Sequence, residues 1–132
     1  MLKVGFAQKD RLTSPLFLDF AQLSDGQRVL IVLYSILHGL RNMENSIFID
    51  EPENYVSLSE IQPWIMELKT ACIDEFPQAV LISHHPELID YLAPECGRWI
   101  EREPLGPARV KALPSNFEPD LKLSEHIARG WI

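Results

Sequence analysis

The sequence is short of cysteine, of clustered glycine and of positive charge, and each shortage removes a class of protein. Cys72 and Cys96 are the only cysteines and share no CxxC spacing, so neither a disulfide scaffold nor a zinc ribbon is indicated, and both read as reduced, packed thiols. The six glycines stand at positions 5, 26, 39, 97, 106 and 130. They are too scattered to build GxxxxGKS or GxxxxGKT, the loop whose backbone amides and lysine grip a triphosphate. With 12 basic against 19 acidic side chains the net charge is -7. The long-range field therefore repels a phosphate backbone, and no direct nucleic-acid contact is expected. The longest nearly uninterrupted apolar stretch, Val29 to Leu37, contains Tyr34 and Ser35 and falls well short of the ~20 residues of a membrane span. No basic segment followed by an apolar stretch and a small-residue cleavage site opens the chain, so the default address is cytoplasmic, with no membrane partner.

What is present fits one small domain of 132 residues with 46% apolar content. The pattern predicts an α/β fold. Leu2 to Phe6 and Leu16 to Phe20 suit a hairpin or two edge strands around the polar stretch Gln8 to Ser14. Ser24 or Asp25 can cap a helix that runs to about Gly39, apolar nearly all round and so expected inside the protein. Ser46 to Asp50 reads as a parallel-sheet strand buried on both faces. A helix from Leu58 to about Phe76 follows, with Ile61, Ile65, Leu68 and Cys72 at helical spacing and Pro63 tolerable only in its first turn. Ala79 to Ile82 forms a second buried strand, and strand, helix and strand make a right-handed crossover. Beyond it lie a short helix from Glu87 to Leu92, strands at Trp99 to Glu101 and Ala108 to Leu113, and a helix from about Pro119 to Arg129. No repeat or long linker divides the chain.

Three groups of residues carry chemistry. At the end of the first buried strand, Asp50 and Glu51 reach the carboxyl edge of a sheet, where ligands bind in open α/β folds. Adjacent strand residues point to opposite sides, so one acid can reach a hydrated Mg²⁺ while the other orients a water; the plainer account is a strand emerging into solvent. Ser83-His84-His85 follows the next strand and brings His84 to the same edge, able to donate to a phosphate oxygen; a helix cap is the plainer account. Leu23-Ser24-Asp25-Gly26-Gln27 opens the first helix, and helix N-terminal amides attract anions; an ordinary N-cap is again the plainer account.

Order and spacing change the weight of these motifs. Leu23 to Gln27 resembles the signature motif of ABC-type ATPases, Ile47 to Glu51 resembles their Walker B motif, and Ser83-His84 resembles their H-loop. Asp50-Glu51-Pro52-Glu53-Asn54 is similar to the DEPEN form of the AAA-type, ABC-like ATPases of the overcoming-lysogenisation-defect and RecF kinds, relatives of the chromosome-maintenance ATPases. The resemblance spans about Leu16 to Asp90. It implies a partial P-loop NTPase fold, a parallel sheet core flanked by helices with short C-terminal strands and a helix. It further implies ATP and Mg²⁺ as ligands, with Asp50 holding the metal through water, Glu51 polarising the attacking water and His84 sensing the γ-phosphate. Ser24, Gly26 and Gln27 would contact the γ-phosphate of ATP held by the opposite subunit.

The chain departs from that family in two places. Ser57 stands where transporter relatives usually carry aspartate, so the D-loop contact of Glu53 to Ser57 is not assigned. The phosphate-gripping loop is missing, and in the family it lies in an N-terminal lobe ahead of the signature. The chain thus reads as a C-terminal lobe, a split-gene product or a truncation, working with that lobe and as a homodimer. Two other readings compete. One is a non-catalytic interaction module that associates with itself or with an ATPase partner through an uncovered apolar surface. The other is a metal-dependent hydrolase using Asp50, Glu51, His84 and His85 as ligands, for which no HxH or HExxH spacing exists.

Overall fold

Capping and apolar spacing account for most elements of the protein, seen in a computed structural model that describes residues 2–6, 16–113 and 121–130. The expected turn at Gln8 to Ser14 and the first residues of the expected C-terminal helix lie outside the described residues. Two compact units emerge, Met1–Leu81 and Ile82–Ile132, and each is described by itself.

The first unit begins with an antiparallel hairpin, β1 (Lys3–Phe6) and β2 (Leu16–Asp19), in which Lys3 faces Asp19 and Phe6 faces Leu16. A single 3-10 turn, Phe20–Gln22, leads into α1 (Asp25–Gly39). Ser24 caps α1: its hydroxyl accepts the Gln27 amide at 3.2 Å, while Gln27 Oε1 accepts the Ser24 amide at 3.0 Å. This reciprocal pair satisfies two amides that a helix start otherwise leaves without partners. Gly39 is the last helical residue and Leu40 takes the C-cap.

Strand β3 (Ser46–Asp50) and strand β4 (Gln78–Ile82) pair in parallel, linked by α2 (Leu58–Asp74). Along α2, Ile61, Trp64, Ile65, Leu68 and Ala71 are buried, and Phe76 closes the same core just past the helix end. Each large apolar side chain so buried contributes roughly 1.5–3 kcal/mol. Trp64 and Ala71 join the face expected from Ile61, Ile65 and Leu68, whereas Cys72 is only half-buried. Just past α1, Arg41 donates to Glu67 within α2 at 2.5 Å and pairs with Glu75 at the end of α2 at 3.0 Å.

Three expectations about this unit need correction. Helix α1 buries only Leu33 and Leu37, because α2 packs against one side of it and a single packed side hides only the residues that face it. Strand β3 is covered on one face: Ile47 is buried while Phe48 is 70% exposed, since a two-stranded ribbon with one helical layer protects only one side. Pro63 sits in the second turn of α2. It forfeits one helical hydrogen bond there, a cost of about 3 kcal/mol, and the buried neighbours Ile61, Trp64 and Ile65 offset it. Of the expected parallel sheet core, the described residues show the parallel β3–β4 pair, and the remaining strands form two antiparallel ribbons, a mixed α/β arrangement.

The second unit holds α3 (Pro86–Cys96), the antiparallel hairpin β5 (Arg98–Arg102) with β6 (Ala108–Ala112), and α4 (Leu123–Ala128). Helix α3 outruns the expected Leu92 end and carries Pro94 within it. At its end Gly97 approaches Ala93 so closely that an added Cβ would overlap the Ala93 carbonyl. In the hairpin Ile100 faces Val110 and Glu101 faces Arg109, and Lys111 forms an ion pair with Glu101. Asp90 of α3 caps α4 from 34 residues away, accepting the Ser124 amide at 2.8 Å and the Ser124 hydroxyl at 2.9 Å. Among the described residues no helix is long and apolar enough to cross a membrane.

Candidate functional site

The start of α1 is built to be rigid. Leu23 is buried beneath it, and Arg28 reaches back to donate to the Phe20 carbonyl at 3.2 Å, the Ala21 carbonyl at 2.8 Å and Asp25 at 3.1 Å. Ser24 and Gln27, both at the exposed surface, are occupied with each other in the capping box. Gly26 serves a different purpose. A Cβ placed on it would approach the Tyr55 carbonyl well inside the 3.0 Å that real Cβ atoms keep, so only glycine lets the first turn of α1 rest on the main chain of the loop after β3.

That loop carries the acids. Asp50 ends β3 with an exposed side chain, and Glu51 follows with φ 47, a left-handed conformation that is uncommon outside glycine and asparagine. The chain then turns on itself: the Asn54 amide donates to the Glu51 carbonyl at 3.1 Å, and Asn54 Nδ2 donates to Glu51 Oε2 at 2.6 Å. A second turn overlaps the first, with the Val56 amide on the Glu53 carbonyl at 3.1 Å. Pro52 is buried and Glu53 only 8% exposed, while Tyr55, also left-handed at φ 69, is 77% exposed. Glu51 lies just past the end of β3 in this left-handed conformation, so the strand alternation expected to separate the two acids stops at Asp50.

Ser57 ends the loop as the N-cap of α2, with its amide and hydroxyl donating to Glu60 Oε2 at 3.2 and 2.6 Å. These bonds, the hydroxyl's first and the backbone's second, hold the Glu60 carboxyl below the ordinary glutamate range. Ser57 is therefore a helix cap in this chain, the role that serine takes readily and for which no phosphate contact is needed.

In the second unit, Ser83 Oγ accepts the His85 amide at 3.0 Å, and His85 Nδ1 accepts the Glu87 amide at 3.3 Å. His85 is thus the N-cap of α3 with Pro86 in the first turn, as its position before a helical run suggests. His84 between them is exposed. Gly26, Ser24 and Gln27 share the first unit with Asp50 and Glu51, and Gly26 meets the acidic loop directly. His84 belongs to the second unit.

Sequence reasoning missed what holds Glu51. Asn54 follows it by three residues across a proline, the spacing of a β-turn, and that was the available signal. The contact of Gly26 with Tyr55 left no sequence signal beyond the glycine itself. Among the described residues no three His, Cys, Asp or Glu side chains are gathered to hold a metal ion. No protein-family model matches this chain, and no curated protein and no solved structure matches it.

Proposed function

We propose that this chain is the lobe of an ABC-type ATPase that supplies the signature, Walker B and switch-histidine residues, and that it hydrolyses ATP only together with a lobe carrying the phosphate-gripping loop, on dimerisation. The observation that carries the reading is where the three motifs fall: at the N-terminus of α1, at the carboxyl end of β3 and just past the carboxyl end of β4. These are the ends at which α/β folds hold anions and phosphates. Glu51 would orient the attacking water, Asp50 would reach Mg²⁺ through water, and His84 would donate to the γ-phosphate.

The residues fit one half of such a site. An exposed carboxylate at a strand end suits a hydrated Mg²⁺, and the first turn of α1 suits a phosphate held by another subunit. Ser24 and Gln27 spend their side chains on the capping box, so their approach to a phosphate would run through the backbone amides of that turn. The donors that grip a triphosphate are missing from the sequence. When bound, Mg²⁺ with ATP would supply charge neutralisation at the transferring phosphoryl group; this chain's part is to place a base, a metal-facing acid and a hydrogen-bond donor.

The test is ATP turnover by the longest natural polypeptide that contains these residues. Glu51→Gln should cut it by roughly 100-fold or more, as expected for loss of a general base, with nucleotide binding retained. The 132-residue chain alone should not turn over ATP. Turnover that survives Glu51→Gln sinks the reading.

A second reading draws on different residues. In the first unit Phe17, Phe48 and Ile73 are 61, 70 and 75% exposed, and an interaction module would use such side chains to bind a second copy or an ATPase partner. Sedimentation that shows a clean monomer at high concentration counts against it.

A further inference from the structure

Two of the motifs in the first unit touch through main chain. The first turn of α1 rests on the Tyr55 carbonyl, at a separation that leaves no room for a Cβ on Gly26. Tyr55 is bonded to Asn54, and Asn54 grips Glu51 twice, backbone to backbone at 3.1 Å and side chain to carboxylate at 2.6 Å. The path from Gly26 through Tyr55 and Asn54 to Glu51 is continuous and short. Its parts are also stiff. Glu51 at φ 47 and Tyr55 at φ 69 sit in a narrow well that non-glycine residues leave only by a large rotation, and Ser57 pins the far end of the loop by capping α2. Displacement of the Tyr55 carbonyl therefore has little to absorb it before it reaches the carboxylate of Glu51.

We propose that Asn54 is a positioning residue: it aims the Glu51 carboxylate and relays to it any movement of the first turn of α1. Resting on the ATPase reading, this makes the orientation of the water-polarising acid depend on what occupies the signature turn of the same chain. The coupling is reciprocal, since a contact that lets α1 move Glu51 lets Glu51 and Asn54 move α1. The glycine is needed for the contact and Asn54 for its transmission, so the two residues have separable roles.

The test uses the 132-residue chain and needs no turnover. With ¹³C-labelled glutamate, the side-chain carboxyl resonance of Glu51 is identified by its loss in Glu51→Gln. Asn54→Ala should move that resonance by more than a line width, and Gly26→Ala should move it as well. Introduced on top of Asn54→Ala, Gly26→Ala should add no further shift. Gly39→Ala, at a helical glycine with open space around it, should leave the resonance in place. An equal shift from Gly26→Ala with and without Asn54, or no shift from either variant, overturns the relay. If Gly26→Ala does not fold, the reverse direction decides: Asn54→Ala should shift the backbone amides of Gly26 and Gln27, and unmoved amides overturn the proposal. A silent Glu51 resonance in a protein whose turnover is lost with Glu51→Gln removes the relay alone. A clear relay in a protein whose turnover survives Glu51→Gln removes the ATPase reading alone.

Discussion

The two units hold themselves together by different means. The first has an apolar core in which Leu23, Leu33, Leu37, Ile47, Ile61, Trp64, Ile65, Leu68, Ala71 and Phe76 are all buried. In the second, among the described residues, only Leu88 and Leu123 of the apolar side chains reach that state, and strand β6 is exposed along its whole length. Leu88 lies on α3 and Leu123 on α4, and polar contacts add to the tie between these helices: the Asp90 carboxylate on Ser124, with Lys122 3.8 Å from both Glu87 and Asp90. Burial contributes kilocalories per side chain, whereas surface ion pairs contribute little and net hydrogen bonds about 1 kcal/mol. The second unit should therefore open at lower denaturant than the first, and the residues in which a stable geometry matters most, Gly26, Glu51 and Asn54, lie in the better-cored unit.

This contrast can be broken by attacking each unit at its own anchor. Trp64 is fully buried, and Trp64→Ala should cost about 3–5 kcal/mol, enough to unfold the first unit in urea melts followed by circular dichroism. A tolerated Trp64→Ala would show that the core is not what stabilises it. Gly26→Ala should destabilise the same unit by about 1–3 kcal/mol, although alanine is the better helix former by about 1 kcal/mol. A stabilised variant would mean that the α1 turn does not rest on Tyr55. In the second unit Asp90→Ala should cost about 1–2 kcal/mol, the worth of a cap. It should appear as lost hydrogen-exchange protection in α4, with the urea midpoint of the first unit unchanged; a shift of that midpoint would show that the units do not melt separately.

The smallest effect sharpens the comparison at the start of α2. Glu60 has a folded-state pKa below the ordinary value of 4.5, so its contribution is present above that value and fades as pH falls through the lower folded-state value. Glu60 is fully exposed and the effect is correspondingly slight. It should be visible as an acid-dependent shift of the Ser57 amide that Glu60→Gln abolishes.

Much of the secondary structure was legible from residue order. Ser46 to Asp50 was expected as a strand and is one, Ser24 caps α1 at the expected place, and the hairpin of Lys3–Phe6 with Leu16–Asp19 follows from two apolar segments around a polar one. Extents were harder. Helix α3 continues through Pro94 to Cys96, past the expected Leu92 end, and Pro63 lies deeper in α2 than its preference for the first turn allows. The candidate site was legible as residues and not as an arrangement. The acids, the glycine turn and the histidines could be picked out by position, and His85 could be read as a helix cap, but Asn54 as the holder of Glu51 and Tyr55 as the seat of Gly26 emerge only in the fold.

What this sequence by itself determined are the features that depend on neighbours three or four residues away: the cap at Ser24 and the apolar stripe of α2. Such interactions close short loops and are encoded locally. Which faces are covered was decided only by tertiary structure. Val29 to Leu37 is as apolar as a buried helix, yet α1 hides only Leu33 and Leu37, and Phe48 lies open on a strand that looked enclosed. Burial depends on the number of layers the rest of the chain places around a segment, and no local pattern states that number. The Asp90 cap on α4 and the seat of Gly26 on Tyr55 share this character: each joins residues far apart in the chain whose pairing exists only once the fold has brought them together.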